Sequence, residues 1–146
     1  MKAFDTDVLT EVLLGDPTYV ARAAMIPPHE QAVPVVVIEE LLRGRLHVIR
    51  QAEAGQAKVD LARAYALFEQ TLRDVRQVTV LSYTPQAEGL YQQWRQQRLR
   101  LPTHDLRIAA ICIAHTATLI SRNRRDFTQV PGLHVQHKFG GRLECH

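Results

Sequence analysis

Short apolar runs alternate along the 146-residue chain with longer stretches of mixed character. In the longer stretches, apolar residues recur every three or four positions, which is typical of helices. The short runs are interpreted as strands: KAF (2–4), PVVVI (34–38), VTVL (78–81), TLIS (118–121) and LHV (133–135). This alternation predicts an α/β domain with a mostly parallel central sheet.

The longer stretches predict helices near 7–14, 18–25, 39–54, 57–76, 85–94 and 104–115. Two of them have start signals that can be read from single residues. Thr84 and Pro85 suit a cap and a first helical turn, and Thr103 can cap the last helix. That last helix, HDLRIAAICIAH, is apolar on nearly every side, which predicts a central position in the domain.

Composition places the chain among ordinary globular domains, with 46% hydrophobic and 23% charged residues. No apolar run reaches the roughly 20 residues of a membrane span, and no signal-peptide core is present. We expect one cytoplasmic domain over 1–146. Its tail, near 136–146, can be either ordered or flexible.

The net charge is +3 and most cations are arginines, whose planar group suits phosphate. This balance permits a nucleic-acid partner without requiring one.

Acidic and amide side chains follow several of the predicted strands. Any one of them is more often a helix cap or a solvated residue than part of a site. In open α/β sheets, however, sites form outside the carboxyl ends of the strands, so these groups are expected to converge. They are Asp5 and Asp7 after the first strand, Glu39 and Glu40 after the second, Asn123 and Asp126 after TLIS, and Asp105 in the first turn of the central helix.

A convergent set of carboxylates predicts a particular chemistry. Oxygen ligands around a partly hydrated ion are what Mg²⁺ and Mn²⁺ prefer. One or two such ions can activate water and stabilise an in-line displacement at phosphorus. Asp105 is also expected to be ionised, because the positive end of its helix dipole lies nearby. The pattern therefore favours metal-dependent hydrolysis of phosphodiester bonds.

Three segments carry a family resemblance: FDTDVLTEVLLG (4–15), VVVIEELLRG (35–44) and LPTHDLRIAAICIAHTATLISRNRRDFTQVPGLHV (101–135). They resemble PIN-domain ribonucleases, particularly VapC-type toxins. The similarity runs from about residue 2 to 135, apart from a variable middle. It implies a three-layer α/β/α sandwich, endoribonuclease activity and dependence on Mg²⁺ or Mn²⁺. It also implies a homodimer and, for a toxin, a cognate antitoxin that blocks the site.

The resemblance assigns roles to individual residues. It implies a catalytic set of Asp5, Glu40, Asp105 and Asp126, with the same four residues and Asn123 binding metal. Asn123 falls where many members have a fourth acid or an amide.

Neighbouring positions depart from the family pattern or remain open. Ser121 replaces a frequent Thr and keeps a hydroxyl near the site, while Asp7 stands where Asn is more usual. Glu39 is interpreted as a neighbour of the ligand Glu40, because adjacent helical side chains point about 100° apart. His104 can approach the site or simply occupy the first helical turn. It is not assigned as catalytic.

Arginines flank the acids in two places. Arg122, Arg124 and Arg125 follow TLIS, and Arg43 lies beyond Glu40. We expect these four to contact the RNA backbone, because guanidinium groups bind phosphate with two parallel hydrogen bonds. The aromatic Trp94 lies near other arginines, but its inward packing is favoured over stacking on RNA.

The two alternatives to a ribonuclease are a phosphatase and a non-catalytic binding module. A haloacid-dehalogenase-like phosphatase would use Asp5 as nucleophile and Asp7 as general acid, but the later Lys and acidic pair that it needs are missing. A non-catalytic PIN-like module that binds RNA or protein would be expected to lack one or more acids. Because Asp5, Glu40 and Asp105 are all present, catalysis is favoured.

Overall fold

The computed structural model describes residues 1–136 and 144–145. Within them, the strands form one sheet in the order β3-β2-β1-β4-β5-β6. Strands β1 to β5 run parallel, and β6 is antiparallel to β5. The strands are β1 (Lys2–Phe4), β2 (Gln31–Pro34), β3 (Val80–Leu81), β4 (Thr118–Ile120), β5 (His134–Gln136) and β6 (Glu144–Cys145). The predicted α/β class with a mostly parallel central sheet is confirmed. Most of the predicted tail near 136–146 lies outside the described residues.

The helices are α1 (Thr6–Leu13), α2 (Pro17–Ala24), α3 (Val35–Glu53), α4 (Leu61–Val75), α5 (Pro85–Gln96), α6 (Thr103–Ala114) and α7 (Arg124–Phe127), with a 3₁₀ turn at Pro28–Glu30. All except α7 lie close to a predicted helix. The exception has only four residues, too few for a periodic pattern. None of the helices in this part of the chain is long and apolar enough to cross a lipid bilayer.

The two predicted helix caps have different outcomes. Thr84 caps α5, because its hydroxyl accepts a hydrogen bond from the Ala87 N–H at 3.1 Å. The prediction that Thr103 caps α6 is wrong. Thr103 is the first helical residue, and the cap position is taken by Pro102, which makes no side-chain capping bond.

The prediction of a strand at PVVVI (34–38) is also wrong. Strand β2 ends at Pro34, and Val35 begins α3. Val36 and Val37 are buried in the first turn of this helix. A short, continuous apolar run has the same pattern in a strand and in a helix, so its period could not separate the two. As a consequence, Glu39 and Glu40 lie in the second turn of α3 and do not directly follow a strand.

Helix α6 is central, as its sequence predicts. Leu106 and every residue from Ile108 to Cys112 are buried, and α6 packs on α3, α5, β2 and β4. Trp94 of α5 is buried, which confirms its predicted inward packing, and Tyr91 of the same helix is buried as well. This packing fixes the amino end of α6, and hence Asp105, relative to the sheet.

The strand order reverses beside β1. From β1 the chain passes to β2 and β3 on one side, and it then returns to β4 on the other side. In open α/β sheets, binding sites form outside the carboxyl ends of the strands at such a reversal. Asp5 directly follows β1 and Ser121 directly follows β4, so both residues border this crevice.

Candidate active site

Asp5 is held between the ends of β1 and β4. Its backbone N–H donates to the Ile120 carbonyl at 3.0 Å, which extends the strand pairing by one residue. The side chain caps α1, since Oδ1 accepts from the Thr6 N–H at 2.8 Å. Oδ2 accepts from the Ser121 hydroxyl at 2.6 Å. The residue is only 7% exposed, so these bonds replace the water that burial removes.

The pKa of Asp5 is raised above its ordinary value. Burial is the largest cause, because a poorly solvated site disfavours the charged form. The hydrogen bonds from Ser121 and Thr6 oppose this effect by stabilising the carboxylate. The negative charges of Asp7 and Glu40 raise the pKa further. Asp5 therefore has charged acidic neighbours from its own segment and from α3.

Glu40 reaches the same crevice from α3. Its Oε2 accepts from the Thr6 hydroxyl at 2.6 Å, and its Oε1 lies 3.1 Å from His104 Nδ1. Both contacts come from other helices, α1 and α6. Glu39 forms an ion pair with Arg43 at 2.9 Å through one carboxylate oxygen, and its other oxygen lies 3.7 Å from His104 Nε2. The interpretation of Glu39 as a neighbour of the ligand stays a prediction.

Asp105 lies in the first turn of α6, and its pKa is raised to about 6. Burial is the largest cause, followed by the negative charges of Asp5, Glu40, Asp126 and Asp7. The net direction is opposite to the one that the helix dipole alone would give, although a carboxyl with this pKa is still mostly ionised at neutral pH. Desolvation and repulsion by neighbouring acids outweigh a dipole effect of typically 0.3–1 kcal/mol, an order-of-magnitude range.

The loop after β4 carries the remaining predicted residues. The Asn123 N–H donates to the Ser121 hydroxyl at 2.9 Å, so one turn orients the hydroxyl that holds Asp5. The Asn123 side-chain amide donates to Asp126 Oδ2 at 3.0 Å. Its amide oxygen stays available as an acceptor or as a metal ligand. Asp126 lies on α7 and contributes to the raised pKa of Asp105.

The donor set suits an oxygen-loving divalent cation. Four acids from three other segments lie close enough to raise the pKa of Asp105, and an amide oxygen adjoins them. In the part of the chain that the structure describes, no three or more His, Cys, Asp or Glu side chains form a ready-made group for a metal ion. The roles of these carboxylates as metal ligands therefore stay predictions.

The four arginines that are predicted to contact RNA differ in their local partners. Arg43 pairs with Glu39, while Arg122 lies 3.8 Å from Glu11 and donates to the Tyr19 hydroxyl at 3.4 Å. All four, including Arg124 and Arg125, are exposed. Exposure keeps their guanidinium groups accessible to phosphate, and their contact with RNA stays a prediction.

Sequence reasoning missed three features of the site. It gave no role to Thr6 and left that of His104 open, although both contact Glu40. It also gave no role to Arg107, which lines a cavity of about 250 Å³ beside Glu39 and lies 5.0 Å from the centre of the Tyr91 ring. Arg107 sits within an apolar helix, and no local pattern distinguishes it from a solvated residue.

The overall fold is similar to that of several solved complexes. VapBC-1 from nontypeable Haemophilus influenzae has 19% identity and a TM-score of 0.69, covering 95% of this chain and 98% of that chain. A toxin-antitoxin complex from Klebsiella pneumoniae has 21% identity and a TM-score of 0.67, covering 91% and 95%. VapBC-5 from Mycobacterium tuberculosis, of the VapBC family of toxin-antitoxin systems, has 21% identity and a TM-score of 0.61, covering 92% and 95%. At these identities the likeness establishes a shared fold.

The sequence itself places the chain in a family. No curated protein matches it. The model of the PIN domain, however, matches residues 2–133, which include every residue of the crevice described above. This match leaves the dehalogenase-like phosphatase hypothesis without support. The chain belongs to the PIN domain family.

Proposed function

We propose that this protein is a metal-dependent endoribonuclease of the VapC type and the toxin of a toxin–antitoxin pair. The observation that carries the proposal is the convergence on Asp105 of four acids from three other segments of the chain. Such mutual repulsion opposes folding, and a bound cation relieves it. Membership in the PIN domain family supports nuclease chemistry at these acids.

Asp5, Glu40 and Asp105 would hold Mg²⁺ or Mn²⁺, with Asn123 or Asp126 completing the site. A bound ion of this kind supplies an acidified water and stabilises charge at the phosphorus atom. The chain itself orients the ligands. Ser121 and the Thr6 N–H hold Asp5, and the Thr6 hydroxyl holds Glu40. Asp126, the fourth proposed catalytic acid, is oriented by a hydrogen bond from the Asn123 side-chain amide.

The RNA backbone is proposed to lie across the arginines that surround the acids. Arg124 and Arg125 begin α7, the helix that also carries Asp126, and Arg122 directly precedes Asn123. Arg43 pairs with Glu39 at an exposed position, and exposed pairs contribute only about 0–1 kcal/mol. A phosphate can therefore compete for Arg43. RNA binding is expected to weaken as salt is added.

A cognate antitoxin is the proposed protein partner. The similar solved structures are toxin–antitoxin or VapBC complexes, and the fold covers more than nine-tenths of each chain. An antitoxin can neutralise the site by placing an Arg or Lys among the carboxylates, where a cation is strongly attracted. A homodimer is proposed from the family resemblance alone.

The activity can be tested with labelled RNA, both single-stranded and structured. Protein stripped with EDTA should leave the RNA intact, and added Mg²⁺ or Mn²⁺ should restore cleavage. Cleavage that persists in EDTA would contradict the metal dependence. Intact RNA under every metal condition would favour the alternative, a non-catalytic PIN-like module that binds RNA or protein.

The toxin role needs a separate experiment in cells. Expression of the wild-type protein should arrest growth, and co-expression of the adjacent small gene should relieve the arrest. An Asp5→Ala variant, expressed to the same level, should be harmless. If this variant is as toxic as the wild type, the growth arrest does not come from this site.

A further inference from the structure

His104 has no role in the function proposed above, yet its ring lies between two carboxylates of α3. Nδ1 is 3.1 Å from Glu40 Oε1, and Nε2 is 3.7 Å from Glu39 Oε1. Only the shorter distance falls within hydrogen-bond range. A carboxylate can only accept, so Nδ1 carries the hydrogen in this contact. The ring is 21% exposed and is therefore largely shielded from competing water.

Glu40 is bonded at both of its oxygens. Thr6 donates to Oε2 at 2.6 Å, and His104 contacts Oε1 at 3.1 Å. The two partners belong to different helices, α1 and α6, so together they restrict rotation of the carboxylate. An ionised carboxylate has about four lone-pair sites. A lone pair on each oxygen therefore stays available for a cation.

We propose that His104 is a positioning residue whose Nδ1–H orients Glu40 for cation binding. The inference rests on the proposed function, because it needs Glu40 to be a metal ligand. Ligand carboxylates are commonly oriented by such outer hydrogen bonds, and losing one costs about 10–100-fold in metal affinity or activity. Orientation before binding also reduces the side-chain entropy lost when the ion arrives.

Two amide substitutions distinguish the contact made by His104 Nδ1 from the one made by Nε2. An asparagine places its side-chain nitrogen near the position of histidine Nδ1, and a glutamine places it near Nε2. His104→Asn therefore keeps the donor toward Glu40, His104→Gln keeps only the contact toward Glu39, and His104→Ala removes both. His115 offers a matched control, because it lies at the other end of α6 and contacts the Ser82 carbonyl at 3.0 Å.

The test measures Mn²⁺ affinity by calorimetry at one fixed pH, followed by RNA cleavage. His104→Ala and His104→Gln should bind Mn²⁺ about 10–100-fold more weakly than the wild type. His104→Asn and His115→Ala should bind as the wild type does. At limiting Mn²⁺, the kcat of the Ala and Gln variants should fall while the KM for RNA stays constant. Unfolding curves check that each variant is folded, and the two amide variants carry the test if His104→Ala is not.

The outcomes separate the inference from the proposed function. If the wild type binds Mn²⁺ and His104→Gln binds it equally well, the inference is overturned and the proposed function stands. Equal losses in the Asn and Gln variants would also overturn it, because the effect would then not follow the Nδ1 donor. A wild-type protein that neither binds Mn²⁺ nor cleaves RNA overturns the proposed function, and the inference with it.

Discussion

Single hydroxyl groups hold the acids of the site in place. Ser121 donates to Asp5, and Thr6 donates to Glu40, each at 2.6 Å. Bonds of this length from a hydroxyl to a carboxylate are charge-assisted and stronger than neutral ones. Both hydroxyls come from segments other than that of the acid they hold. The positions of the acids therefore depend on residues that have no chemistry of their own in the reaction.

Ser121→Ala should lower the free energy of unfolding by about 1–3 kcal/mol, the range for a buried group that loses its partner. Ser121 is fully buried, so solvent cannot simply replace its hydroxyl, and the pKa of Asp5 should rise further. Urea unfolding in EDTA measures the change. Ser121→Thr keeps the hydroxyl and should recover most of the loss. An Ala variant as stable as the wild type would show that this bond contributes no net stability.

The positions of the acids could be predicted, but their partners could not. Motif resemblance pointed to Asp5, Glu40 and Asp105, and the structure brings their segments together. The contacts that orient Glu40 join residues 34 and 64 positions apart in the chain, to Thr6 and His104 respectively. No local periodicity encodes such pairs. The raised pKa of Asp105 also depends on burial, which emerges only after folding.

At the scale of helices and strands, prediction succeeded where an element had a period or a cap. Helices α3 and α4 were predicted from the spacing of their apolar residues, α5 from its cap, and α6 from its continuous apolar character. It failed at β2, where a buried strand passes into a buried helix at Pro34 without a change in polarity. It also failed for α7, which is only one turn long. These two errors did not change the predicted alternation of strands and helices, and this alternation decides the α/β class.

The cap of α5 gives a test that is independent of the site. Thr84→Ala should destabilise the protein by about 0.5–2 kcal/mol, because the Ala87 N–H loses its acceptor. Thr84→Ser should restore stability, since serine is an equally good cap. Thermal unfolding measures both variants. RNA cleavage at a temperature where the protein is folded should stay unchanged, and a loss of cleavage there would contradict the separation of α5 from the site.

Over the whole molecule, the acid cluster makes stability depend on pH. The pKa of Asp105 is about 6 in the folded protein and 3.8 ordinarily, so between these values the folded state retains a proton that the unfolded chain releases. Its contribution to stability is therefore complete below about pH 3.8 and is lost as pH rises through about 6. The raised pKa of Asp5 acts in the same direction.

In EDTA, Asp105→Asn should be more stable than the wild type near neutral pH, because it removes a repelled, partly buried charge. The difference should shrink as the pH falls through about 6 and should vanish only well below 3.8, where Asp105 is neutral in both states. Denaturant unfolding at several pH values measures this gap. A gap that does not change with pH would contradict the raised pKa. Mn²⁺ should reverse the order near neutral pH, since only the wild type keeps the full set of carboxylates.

The central claim is that the carboxylates in the crevice beside β1 carry out metal-dependent RNA cleavage. Two aspartates allow a matched comparison. Asp5 caps α1, and Asp60 caps α4 by accepting from the Arg63 N–H at 2.8 Å. Asparagine is an equally good cap, so the same substitution preserves both helices. Only Asp5 lies among the acids of the crevice.

The most direct test is the rate of RNA cleavage at saturating Mn²⁺ for the wild type, Asp5→Asn and Asp60→Asn. Asp5→Asn should lower kcat by more than about 100-fold. This loss exceeds the roughly 10–100-fold effect of mutating a residue that only orients a metal ligand. Asp60→Asn should cleave as fast as the wild type. If Asp5→Asn also cleaves at the wild-type rate, this crevice is not the site of the reaction.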